Sequence, residues 1–129
     1  VRRLLLDTHA LLWFIAGDER LSSTARREIE NEASDVFVSV GTAWEIAIKV
    51  GLGKLSLDAP TAEAFFIEQM KVNAFRYLPI EPPHVFRAGQ LPLHHRDPFD
   101  RILIAQALVE DMGLVTREDF RAYAVVTMW

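Results

Sequence analysis

The chain of 129 residues has no cysteine. That absence excludes disulfides, thiolate zinc centres and cysteine nucleophiles together. No stretch approaches the length of a membrane span. There is no internal repeat and no low-complexity segment. There is no basic excess either: 14 Lys and Arg against 18 Asp and Glu leave a formal charge of −4, so no global positive field advertises nucleic acid. No Ser-His-Asp pattern offers a side-chain nucleophile. His94-His95 lacks both cysteine partners and helical His-x₃-His spacing, which argues against a transition-metal site. Val1-Arg2-Arg3-Leu4-Leu5-Leu6 has the outline of a signal peptide, but Asp7 and His9 interrupt its apolar part and no convincing small-residue cleavage site follows. The expectation is a soluble, cytoplasmic protein forming one domain over residues 1–129. Half of the residues are hydrophobic and a quarter charged, and a chain of this size buries roughly two thirds of its unfolded surface without staples.

The most informative stretch is Leu4-Leu5-Leu6-Asp7-Thr8-His9-Ala10. Three consecutive leucines do not alternate, so they predict a short strand buried on both faces, as inside a parallel sheet. An acid directly after such a strand is badly placed for stability alone. It is well placed for function, because ligands of open α/β sheets bind at the carboxyl ends of strands. Thr8 is the expected cap of a helix from Ala10 to Ala16. Further helices are expected at Thr24–Glu32, Ala43–Val50, Thr61–Val72, His84–Gln90 and Phe99–Met112, the last ended by Gly113 as a C-cap. Further strands are expected at Val36–Val40, Tyr77–Ile80, Leu114–Thr116 and Val125–Met128. Pro79 suggests that the third strand lies at or near an edge. Strands alternating with helices predict an α/β fold: a three-layer α/β/α sandwich around a mainly parallel sheet of about five strands, with Asp7 on a central one.

Several acids repeat the placement of Asp7. Glu45 stands in the apolar run Trp44-Glu45-Ile46-Ala47-Ile48 near the start of a helix; its plain alternative is an i,i+4 pair with Lys49. Asp100 shares a helix face with Leu103, Ile104 and Ala107, so it sits at the top of a buried stripe. Asp97, before Pro98, reads as an N-cap. Glu118 and Asp119 follow the strand Leu114-Val115-Thr116. Strand ends and the first turns of the following helices share one sheet edge, so Asp7, Glu45, Asp100 and Glu118 or Asp119 map together. Gathered carboxylates repel unless a cation lies between them, and all-oxygen ligands select Mg²⁺ or Mn²⁺.

In these segments the sequence resembles the PIN-domain ribonucleases, specifically the VapC-type toxins of bacterial toxin–antitoxin pairs. The matching stretches are Leu5 to Trp13, Ala43 to Lys49 with Gly53-Lys54-Leu55, His95 to Arg101 through Ala107, and Leu114-Val115-Thr116. They cover essentially the whole chain in the family's order. The resemblance implies an acidic, metal-binding and catalytic set of Asp7, Glu45, Asp100 and an acid after Thr116. The family usually shows Thr-x-Asp there. This chain has Thr116-Arg117-Glu118-Asp119, which leaves Glu118 and Asp119 both open as the fourth ligand. Asp97, and Thr8 beside Asp7, are expected to support the ligands. The resemblance further implies Mg²⁺- or Mn²⁺-dependent endoribonuclease activity on RNA, a homodimer, and inhibition by a small VapB-type antitoxin.

Leu11-Leu12-Trp13-Phe14-Ile15 carries more apolar surface than one core-facing stripe uses. A partner groove near Leu12 and Ile15 is therefore expected, with the helix from Thr24 as its other wall, and an arginine of the partner reaching the acids. Trp13, Trp44 and Trp129 read as core, and His9 as a packing residue. Two other functions fit the α/β class. A phospho-acceptor receiver domain would want adjacent acids after the first strand and a late lysine, where this chain has Asp7 alone and Arg117. A non-catalytic interaction module would need no site at all.

Overall fold

Leu4, Leu5 and Leu6 are each fully buried, and they are divided between two cores. Leu4 and Leu6 face one side of the sheet and Leu5 the other, as the two-residue period of a strand requires. The computed structural model describes residues 2–129. In it β1 (Arg2–Leu6) lies at the centre of a five-stranded sheet, between β2 (Ser34–Ser39) and β4 (Gly113–Val115). β3 (Arg76–Leu78) and β5 (Thr127–Met128) form the edges. Every pairing is parallel, with Leu5 in register between Phe37 and Leu114. The sheet is thus wholly parallel, and the strand expected at an edge lies at one.

Four helices serve the Leu4–Leu6 face: α1 (Thr8–Ala16), α2 (Ser23–Glu30), α3 (Val40–Gly51) and α4 (Ala62–Val72). They bury Leu11, Ile29, Ile46 and Phe65 there. The Leu5 face is covered by α6 (Pro98–Glu110), through Leu103, Ile104 and Ala107. α5 (Pro82–Gln90) packs on α6. The expected three-layer sandwich follows. Gly41 lets α3 and α6 come close: a Cβ there would meet Ile102 Cγ2 at 3.3 Å and Ser39 Oγ at 3.2 Å.

Local chemistry moves several expected boundaries. α1 is capped by Asp7, whose Oδ1 accepts the Ala10 N–H at 2.8 Å, and Thr8 is its first helical residue rather than its cap. α3 begins at Val40, earlier than the apolar pattern suggests, because Ser39 Oγ accepts the Gly41 N–H and starts the helix. Glu45 consequently falls in the second turn. α6 ends on Asp111, which adopts the left-handed conformation at φ 56°, and Gly113 opens β4 instead of closing the helix. The last strand is short because a 3-10 turn, Arg121–Tyr123, and left-handed Ala124 redirect the chain first. Among the described residues no helix is long and apolar enough to cross a membrane.

Candidate active site

From β1 the chain proceeds outward to β2 and β3, then returns to β4 on the other side of β1. Such a reversal opens a crevice at the strands' carboxyl ends. Asp7, the first residue beyond β1, lies there. Its N–H donates to the Val115 carbonyl at 3.1 Å, which fixes it to the end of β4. Its side chain is buried, and burial raises its pKa above the ordinary carboxylate value. The Thr116 hydroxyl, the Ala10 N–H and His9 pull that value partly back, while the charge of Glu118 adds to the rise.

Glu45 reaches the same crevice from α3. Thr8 Oγ1 donates to its Oε1 at 2.7 Å, and Lys49 Nζ lies 2.9 Å from its Oε2. The i,i+4 pair with Lys49 therefore forms, yet it is no ordinary surface pair, because the Glu45 side chain is only 15% exposed and leans on the residue next to Asp7.

Asp100, in the first turn of α6, records the gathering of charge. Its pKa is pushed up to about 6, first by burial and then by the charges of Asp97, Asp7, Glu118 and Glu45. Asp97 caps α6 as expected, accepting the Phe99 N–H at 2.9 Å, and it is also the strongest charge acting on Asp100. The two acids after β4 separate. Glu118, whose N–H donates to Thr116 Oγ1 at 3.0 Å, bears on both Asp7 and Asp100. Asp119 turns to Arg121, which donates to its carboxylate at 2.9 and 2.8 Å and holds its pKa down to about 2. The fold thus places Asp7, Glu45, Asp97 and Glu118 where their charges act on Asp100, while Asp119 is paired with Arg121.

Five carboxylates with no cysteine form a hard-oxygen donor set suited to Mg²⁺ or Mn²⁺, and repulsion by its acidic neighbours, which a cation would relieve, adds to the burial that raises the Asp100 pKa. Among the described residues, no three metal-ligating side chains stand close enough to hold an ion as they are. Glu45 is tied to Thr8 and Lys49, and Asp7 to its own helix cap.

Sequence reasoning missed two contributors. Thr116 accepts the Glu118 amide at 3.0 Å, and its hydroxyl lowers the pKa of Asp7. Arg101 donates four hydrogen bonds, to the carbonyls of Ala88, Leu91, Pro92 and His95 at 2.8 to 3.1 Å, and so fixes the loop leading to Asp97. An arginine beside Asp100 was its only signal. Trp44 is not core: it is 63% exposed, edge-on to Phe99. Trp13 is buried as expected and His9 packs on it, with ring centroids 5.1 Å apart.

Leu12 and Ile15 line a groove of about 640 Å³. Its opposite wall is the connector with Leu55 and Leu57, together with Phe65 of α4, not α2. α2 is unavailable because Ala25 and Ile29 are spent in the core. His9 and Lys49, the ion-pair partner of Glu45, also line the groove.

The fold and site together define a parallel three-layer α/β protein with an acidic crevice at its central strand ends. The model of the PIN domain family matches residues 4–126, and the chain belongs to that family. It is similar to Ribonuclease VapC22 of Mycobacterium tuberculosis (strain ATCC 25618 / H37Rv), at 29% identity over 131 residues covering 98% of each chain. Among solved structures it resembles a chain of the VapBC2 complex from Rickettsia felis, bound to a DNA fragment from their promoter. The TM-score is 0.70 at 14% identity, over 98% of this chain and 97% of that one. It also resembles a chain of a toxin–antitoxin complex from Klebsiella pneumoniae, with a TM-score of 0.60 at 19% identity, over 89% and 86% of the two chains.

Proposed function

We propose that the chain is a metal-dependent endoribonuclease and the toxin of a toxin–antitoxin pair, acting in the cytoplasm with residues 1–129 as one nuclease unit. The observation that carries this reading is the buried carboxylate of Asp7 at the end of the central strand, with Glu45 bonded to the adjoining Thr8. Full-length similarity to a ribonuclease of that type supports the choice of substrate. A receiver domain fits less well, because Asp7 has no adjacent acid and Arg117 stands where a lysine would be wanted.

Asp7, Glu45, Asp100 and Glu118 would hold Mg²⁺ or Mn²⁺, which supplies a lowered pKa for bound water and a counter-charge for the phosphate. Thr8 orients Glu45, Thr116 holds the turn carrying Glu118 by accepting its amide, and Asp97 starts the helix that presents Asp100. The test is cleavage of single-stranded RNA in Mg²⁺. Fragments should appear with the parent chain and disappear with a chelator or with Asp7→Asn. Equal cleavage by Asp7→Asn would sink the reading.

Two surfaces fit the partners this reading requires. Trp44, Ile48, Ile80, Val85 and Phe99 line an apolar concavity of about 620 Å³ between α3, α5 and α6, with Trp44 and Val85 at least half exposed. Exposed apolar area of this kind marks an interface, and it suits a homodimer. Trp44→Glu should then give a monomer by light scattering, and a variant that stays dimeric would place the contact elsewhere. The groove at Leu12 and Ile15 suits an amphipathic antitoxin segment, whose arginine would reach Asp7 or Asp100. Leu12→Glu and Ile15→Glu should each weaken capture of the small protein encoded beside this chain by at least about tenfold. Folded variants that capture it as well as the parent would exclude the groove.

A further inference from the structure

One cation beside the acidic crevice is placed unusually. Lys49 Nζ lies 2.9 Å from Glu45 Oε2, while Thr8 Oγ1 donates to Glu45 Oε1 at 2.7 Å. Both oxygens of one expected ligand are thereby engaged. An exposed i,i+4 pair is normally loose and worth little. This one differs in three respects. The acid is nearly covered, at 15% exposure. Its other oxygen is fixed by a buried hydroxyl. It faces a crevice of like charges rather than open water. Lys49 itself is 39% exposed and lines the groove beside Leu12 and Ile15, so its flexible four-carbon stem has somewhere to go.

We propose that Lys49 is a positioning residue that holds Glu45 as a built-in counter-ion until a divalent cation takes the carboxylate over, at which point the ammonium withdraws into the groove. The inference rests on the metal-dependent reading above. It gives groove and site a physical link. A phosphate or a partner's carboxylate passing through the groove meets the same ammonium that Glu45 must release.

The test is calorimetric titration of the full chain with Mn²⁺, without RNA, comparing the parent with Lys49→Met, Lys49→Gln and Lys49→Arg. Removing the competing charge should tighten Mn²⁺ binding roughly tenfold in both Lys49→Met and Lys49→Gln, and Lys49→Arg should return to the parent affinity. Lys49→Gln keeps a hydrogen bond to Glu45, so it answers the question if Lys49→Met folds poorly. A purely structural lysine would leave the affinity unchanged or weaken it in both neutral variants, and that result overturns the proposal while leaving the metal site standing. No Mn²⁺ binding by the parent or any variant overturns both the proposal and the metal-dependent reading.

Discussion

Asp100→Asn is expected to give a protein more stable than the parent at pH 7.5 and nearly inactive. The Asp100 carboxyl has its pKa raised from 3.8 to about 6 by burial and by four neighbouring acids. A raised folded-state pKa means that the protonated form favours folding. That contribution is complete below pH 4 and is lost as pH rises through 6. At pH 7.5 the charged group therefore costs stability. A shift of about two pKa units corresponds to about 3 kcal/mol, and solvent reaching this half-buried group reduces it to about 1–2 kcal/mol. Asparagine keeps the shape and removes the charge, so the melting temperature should rise by roughly 3–8 °C. The gain should shrink as pH falls toward 4, where parent and variant both carry a neutral group. RNA cleavage should fall roughly 100- to 1000-fold, as when one electrostatic contributor to a site is removed. Melting curves across pH 4 to 8 beside cleavage rates check both halves. A variant less stable than the parent at pH 7.5 would contradict the crowding of acids.

The second large effect concerns Arg101. Its guanidinium satisfies the carbonyls of Ala88, Leu91, Pro92 and His95. Tyr123 assists from the other side, donating to Pro92 O at 2.9 Å and accepting the His95 N–H at 2.7 Å. The loop before Asp97 is held between these two side chains. Hydrogen bonds to a charged group contribute more than neutral ones, and carbonyls freed at the surface recover part of the loss from water. Arg101→Met should therefore cost about 2–4 kcal/mol, read as a lower urea midpoint, with faster proteolysis between Leu91 and Asp97. Cleavage of RNA should drop even where the variant remains folded, because that loop sets the start of the helix presenting Asp100. A variant with parent-like proteolysis would show that the loop is held by other contacts.

The central strand and its acid were legible because they break a physical expectation: three leucines buried on both faces, then a charge. The stripe Leu103, Ile104 and Ala107 identified Asp100 in the same way. The choice between Glu118 and Asp119 was not legible. They are adjacent, and what distinguishes them, Thr116 Oγ1 accepting the Glu118 amide and Arg121 pairing with the Asp119 carboxylate, lies in the folded turn. The second-turn position of Glu45 depended on Ser39, a polar residue inside an apolar run, acting as a helix cap. The exposure of Trp44 and the wall opposite Leu12 were hidden for another reason. Apolar composition says that a surface wants covering, but not which neighbour covers it. α2 spends its apolar side chains in the core, so the connector after α3 forms the wall instead.

On the proposed reading, these acids direct hydrolysis without any side-chain nucleophile. The most direct measurement is the chemistry of the RNA ends produced by the parent chain in Mg²⁺. Attack of water on phosphorus, with departure of the ribose 3′ oxygen, leaves 5′-phosphate and 3′-hydroxyl ends, and these are the expected products. Ends bearing a 2′,3′-cyclic phosphate would mean that the RNA's own 2′-hydroxyl is the nucleophile, and would contradict it.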